Sequence, residues 1–238
     1  MSELIVMAVA LLPAIVLLFY IWMKDPKREP TSRIIKAILW GIAVCILAAI
    51  VEGGIESFLF GDAKPADLFD TTMDAFFVAA LPEESLKLFA LWMVLRKNPY
   101  FDEHYDAIVY AVCVGLGFAA LENYMYVVDD ADWLTTGIFR ALLSVPAHYA
   151  FAVLMGYYYS KHHFVTHSFK TAFCTLFVPV FAHGVYDALL MSAEVNAGVG
   201  VVCFIILLYF CFKMHKSAKA KIVAQIELDK GNTPIPTA

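Results

Sequence analysis

Charge is what this sequence has least of. Asp, Glu, Lys and Arg make up 16% of its 238 residues, against about 25% in an ordinary soluble domain. Nowhere are basic and aromatic residues interleaved as a nucleic-acid surface requires, which excludes nucleic acid as a partner. No segment alternates apolar and polar residues with the period of two that a transmembrane barrel strand needs. The five cysteines, Cys45, Cys113, Cys174, Cys203 and Cys211, form no C-x-x-C pair and all lie in apolar runs, so they read as small fillers of helix packing. No stretch between those runs is long enough to hold a soluble domain, and no internal repeat is visible.

What is present is apolar length. Hydrophobic residues make up 61% of the chain, and the mean hydropathy is +0.72. They come in runs of about 20 residues, enough to cross a hydrocarbon core of roughly 30 Å. The runs lie at about 4–23, 34–53, 74–95, 105–127, 137–160, 168–191 and 197–214. Backbone groups in lipid must be satisfied within the segment, so each run is expected to be a helix. The fold expected is all-α: one polytopic transmembrane bundle of about seven helices over residues 1–215, followed by a cytoplasmic tail, 216–238. The first run begins almost at Met1 with Glu3 and no basic residue before it. That is unlike a cleavable signal peptide, so it reads as a retained span. A short interfacial helix is expected at Leu68–Met73, a basic helix on the inner leaflet at Lys216–Leu228, and a disordered ending from Gly231.

Charge in the connecting segments orients the bundle. Lys24, Lys27, Arg28, Arg33 and Lys36 crowd the first loop, Arg96 and Lys97 the third, Lys161 and Lys170 the fifth. Lys213, Lys216, Lys219 and Lys221 follow the last span. Acids occupy the alternate loops: Glu56, Asp62, Asp67 and Asp70, then Asp129, Asp130 and Asp132, then Glu194. Basic loops stay cytoplasmic, so the N-terminus is expected outside and the C-terminus inside.

A charged side chain at the bilayer centre costs roughly 2.5–3.5 kcal/mol on insertion scales, so each one marks a functional candidate. Four successive spans carry them. The third has Glu83, Glu84 and Lys87 one turn apart on one face. One lysine neutralises one carboxylate, so a second cation, a proton or a metal ion is implied. The fourth has Glu122 and Asn123, the fifth His148, and the sixth His183 with Asp187 four residues on. That last spacing suits an imidazole ligand and the carboxylate that orients it. At about 1.5 Å per residue these groups fall in one layer, roughly 7–17 Å below the outer surface. Pro82, Pro146 and Pro179 each precede a key residue, where a kink opens space for water. Imidazole and carboxylate ligands suit Zn²⁺, which lowers the pKa of a bound water to about 7. The histidines of the cytoplasmic loops, His104, His162, His163, His167 and His215, read as surface residues.

In this order, Glu83-Glu84-x-x-Lys87, Phe118-x-x-x-Glu122-Asn123, His148 and His183-x-x-x-Asp187 resemble the PrsW family of intramembrane metalloproteases, relatives of the CAAX prenyl-protease and bacteriocin-immunity group. The resemblance covers about residues 74–191, the catalytic core. It implies a multi-pass protein of a bacterial plasma membrane. It also implies site-1-type cleavage, near the extracytoplasmic surface, of a single-span substrate such as a membrane-bound anti-sigma factor. Glu83 is then the general base, with Glu84 held by Lys87 or assisting, and Asn123 an oxyanion donor. His148, His183 and Glu122 hold the metal, while Asp187 orients His183 or joins the ligands. The CAAX relatives have His where this chain has Glu122, which leaves Glu122 either a ligand or part of the pocket. An ion or proton transporter and a seven-helix zinc hydrolase of lipid amides are the rival readings. A transporter needs polar residues from face to face, and these sit in one layer.

Overall fold

A backbone surrounded by lipid closes its hydrogen bonds within each segment, and the computed structural model of this protein is built that way. It describes residues 3–61, 65–195 and 197–231, and every regular element among them is helical. In chain order these are α1 (Glu3–Lys24), α2 (Thr31–Phe60), α3 (Leu68–Met73), a π-helical segment (Asp74–Ala80), α4 (Leu81–Leu95), α5 (Asp106–Asp129), α6 (Trp133–Leu142), α7 (Ser144–Ser160), a second π-helical segment (Lys161–Thr166), α8 (Phe169–Val195) and α9 (Ala197–Gly231). Asp62, the side chain of Glu194 and the tail after Gly231 lie outside the described residues.

Seven passes result. Six helical stretches among the described residues are long and apolar enough to cross a membrane. The seventh, Leu68–Leu95, carries Glu83, Glu84 and Lys87 and is divided between α3, a π-helical segment and α4. Its start is where the short helix was expected: the Asp67 carboxylate caps α3 by accepting from the backbone N–H of Phe69 and Asp70. Pro82 sits in the first turn of α4, where a missing N–H costs little. Pro146 lies just past the break at Leu143 that separates α6 from α7, whereas α8 runs unbroken through Pro179.

The core sits around α5, which packs against α1, α2, α4, α6 and α7. Lipid supplies no hydrophobic drive between helices, so contact depends on small residues that let backbones close up. A Cβ at Gly41 would lie 2.1 Å from the Val114 carbonyl oxygen, and one at Gly117 would lie 2.4 Å from that of Ile38. These two glycines on facing helices let α2 and α5 touch.

The basic loops gather at one end. Lys27, after α1, pairs with Asp102, after α4, at 2.5 Å. The Asp229 carboxylate of α9 accepts from the backbone N–H of His104 and Tyr105 at 2.8 and 2.9 Å. Near it, Ser160 donates to Gln225 and lies 3.4 Å from His104. Two expectations change here. α9 continues without a break to Gly231, its far turns burying Ala218, Ile222 and Gln225 instead of lying free on the leaflet. His104 is buried rather than at the surface, and His215 is half-buried with Nε2 3.1 Å from the Pro146 carbonyl.

Candidate active site

Helical spacing alone assembles the first half of the site. On α4 the Lys87 ammonium donates to Glu83 Oε2 at 2.7 Å and to Glu84 Oε1 at 2.9 Å, all three side chains being buried. The ammonium also lies 3.2 Å from His148 Nδ1 and 4.0 Å from the centre of the Phe118 ring. Withdrawing one partner from such a buried set leaves a charge uncompensated, at roughly 3–5 kcal/mol.

The second half arrives from α7 and α8. The rings of His148 and His183 are 5.2 Å apart and nearly perpendicular. His183 Nδ1 is 3.0 Å from Glu84 Oε1, and its Nε2 is 3.0 Å from Asp187 Oδ2. His148 repeats the pattern, with Nε2 3.0 Å from Glu122 Oε2 and Nδ1 turned toward α4. Each imidazole thus meets α4 through Nδ1, His183 at the Glu84 carboxylate and His148 at the Lys87 ammonium, and meets a carboxylate behind it through Nε2. Phe151 stacks on His183 at 4.7 Å and holds that ring plane.

Glu83, Glu84, His148 and His183 each bring a ligand atom within 4.8 Å of the others. Glu84 Oε2 is enclosed among them without a hydrogen-bond partner. Two imidazoles and two carboxylates, one of them with an orphaned oxygen, form a donor set that fits a divalent transition metal. Glu122, expected as a ligand or part of the pocket, meets Nε2 of His148, and Asp187, expected to orient His183 or join the ligands, meets Nε2 of His183. The reason is geometric: the i, i+4 spacing lays Asp187 against Nε2, while Nδ1 faces α4.

Arg140 is the residue that sequence reasoning missed. From α6 its Nη2 donates to Glu122 Oε2 at 2.7 Å and its Nε to Asn123 Oδ1 at 2.9 Å, the guanidinium lying over the Tyr126 ring. The available signal was a lone arginine in a short apolar helix beside the site spans. Asn123 in turn donates through Nδ2 to the Ala10 carbonyl at 2.6 Å. Its amide is tied to α1 at one end and α6 at the other, away from the cavity wall. The amide expected to serve an oxyanion is thus engaged at both ends, joining α6 to α1.

A cavity of about 550 Å³ opens over the cluster, with Glu83, Glu122, Arg140, His148, His183 and Asp187 on its wall. Ser144 and Tyr186 add two hydroxyls to the wall, 3.1 Å apart. Counted from the helix ends at Asp129 and Val195, Glu122 and His183 lie about 10 and 18 Å down. The layer read from the sequence is thus a real convergence of four passes.

Comparison with known proteins bears directly on this arrangement. The family model described as PrsW family intramembrane metalloprotease matches residues 29–212. A protein named Protease PrsW from Bacillus subtilis (strain 168) is 31% identical over 230 residues, covering 94% of this chain and 99% of that one. The Protease PrsW of Clostridioides difficile (strain 630) is 33% identical over 206 residues, covering 84% and 85%. That of Geobacillus kaustophilus (strain HTA426) is 35% identical over 184 residues, covering 76% and 78%. No solved structure matches the chain.

Proposed function

The chain belongs to the PrsW family of intramembrane metalloproteases, and from that premise we propose that it is a zinc endopeptidase cutting a single-span membrane protein, such as an anti-sigma factor, near the extracytoplasmic face. Its place is the bacterial plasma membrane, as a multi-pass protein whose relatives are bacterial proteases. The observation that carries the proposal is the convergence of Glu83, Glu84, His148 and His183 under an open cavity. The alternation of basic and acidic loops supports an outside N-terminus, which turns the cavity toward the extracytoplasmic side.

We assign the metal to Nδ1 of His148, Nδ1 of His183 and the carboxylate of Glu84. Three protein ligands leave one position open for water and substrate. A zinc ion held there would polarise the scissile carbonyl and make water acidic enough to attack at neutral pH. Glu83 lines the cavity, where it accepts the proton of the attacking water and passes it to the leaving amine. Lys87 keeps that carboxylate in place through its bond to Oε2. Glu122 and Asp187 favour the tautomer with its proton on Nε2, which turns the Nδ1 lone pairs toward the metal, and at His148 the ion would take the place of the Lys87 ammonium. In the Ser144–Tyr186 pair one hydroxyl donates to the other, and we assign the remaining hydroxyl proton to the oxyanion.

The test uses the purified protein in liposomes with a single-span reporter. Glu83→Gln is expected to lose cleavage and keep one metal per chain, while His183→Ala loses both. Metal-free wild-type protein that still cleaves, or Glu83→Gln at the wild-type rate, would overturn the assignment.

A further inference from the structure

One wall of the cavity takes no part in the chemistry above. It is the stretch of α2 that reads Glu52-Gly53-Gly54-Ile55-Glu56, of which Glu52, Gly53 and Glu56 line the cavity together with Glu83 and Glu122. Glu52 and Glu56 are four residues apart, on one helical face. Glu52 Oε1 is shielded from solvent and has no hydrogen-bond partner.

The neighbouring carboxylates are answered. Glu83 is paired with Lys87, Glu122 with Arg140 and His148, and Asp187 with His183. Those cations are already engaged, since Lys87 spans two carboxylates and Arg140 bridges Glu122 and Asn123. Glu52 therefore faces the cavity with no basic side chain among the described residues paired to it. An enclosed acceptor without a partner in a native fold calls for an explanation, and a ligand that completes it is one.

The glycines supply a second, independent observation. Two adjacent glycines weaken a helix interior, and elsewhere in α2 close packing explains one, since Gly41 meets α5. At Gly53 and Gly54 an added Cβ would meet nothing within 4 Å. No described residue packs onto the bare backbone they leave. At Gly53 it borders the cavity, between the two carboxylates, with room for a chain that comes from outside.

We propose that Glu52 and Glu56 form a specificity subsite for a lysine or arginine side chain of the substrate near its scissile bond, and that Gly53 and Gly54 make room for the substrate backbone against α2. The subsite rests on the protease reading and names the class of substrate that site takes. Placing a basic residue there restores the charge balance and completes the Glu52 oxygen.

The experiment takes the full-length protein in liposomes with a set of single-span reporters. In these, each position within five residues of the cleaved bond carries Lys, Leu or Glu in turn. At one position wild type is expected to prefer Lys over Leu at least tenfold in kcat/KM, mainly through KM. Glu52→Gln should reduce that ratio to within about twofold, and Glu52→Lys should turn the preference toward Glu. Gly53→Leu should raise KM for all reporters alike without changing the Lys-to-Leu ratio. Cleavage with no Lys preference, or one that survives both Glu52 variants, overturns the subsite and leaves the protease reading intact. A wild-type protein that binds metal and cleaves no reporter overturns that reading and the subsite with it.

Discussion

Arg140 Nη2 donates to Glu122 Oε2 at 2.7 Å across two helices whose contact residues are 18 positions apart. Through this bond α6, a short helix with Leu134, Ile138, Phe139 and Leu142 exposed on its outer side, reaches the inner site. Without it Glu122 would keep His148 as its remaining side-chain partner.

Replacing Arg140 should therefore act on the site at a distance from the reacting atoms. Arg140→Ala is expected to lower kcat/KM by about 10–100-fold, in the range seen when a residue supporting a metal ligand is lost, with metal content retained. Arg140→Lys should recover little, because an ammonium does not reproduce the fork that bonds Glu122 and Asn123 together. Reporter cleavage alongside metal analysis checks both variants.

Asp187 stands on the far nitrogen of His183 at 3.0 Å. Asp187→Asn keeps the shape and removes the charge that favours an N–H at Nε2. Zinc affinity, measured by competition with a chelating dye, should fall about 10–100-fold. A wild-type affinity would show that Asp187 has no hold on the imidazole.

The contact of α2 with α5 predicts a stability effect without a site residue. Gly117→Ala would place a Cβ 2.4 Å from the Ile38 carbonyl oxygen, and forced separation of packed backbones costs roughly 1–3 kcal/mol. Thermal unfolding of the detergent-solubilised protein should start several degrees lower. Gly53→Ala, with open space at the Cβ, should show no such loss and gain slightly from helix propensity.

The basic end of the bundle should respond to pH. Burial in the loop between α1 and α2 pushes the Glu29 carboxyl up to about 7 from an ordinary 4.5, although the Tyr110 hydroxyl donates to it. A carboxyl whose folded pKa is raised stabilises the docked loop fully below its unfolded pKa. That contribution is lost as pH rises through the folded value. Amide exchange at residues 25–29, corrected for intrinsic rate, should accelerate between about pH 5 and 8 in wild type. In Glu29→Gln that acceleration should be smaller, with the raised Asp25 carboxyl accounting for what remains.

The sequence by itself determined the bundle and half the site. Runs of twenty apolar residues leave lipid-embedded backbone no partner but its own segment, so seven helical passes follow. A four-residue spacing likewise makes Glu83 meet Lys87 and Asp187 meet His183, because local geometry along one helix needs no knowledge of the rest. Only the tertiary structure decided which nitrogen of each imidazole faces α4, and that Glu122 meets the far nitrogen of His148. It alone brought Arg140 to Glu122, bound Asn123 to α1 and left Glu52 without a partner. Those relationships join residues on different helices, and their relative rotation is set by how closely glycines such as Gly41 and Gly117 let the backbones approach, a sum of contacts no single segment encodes.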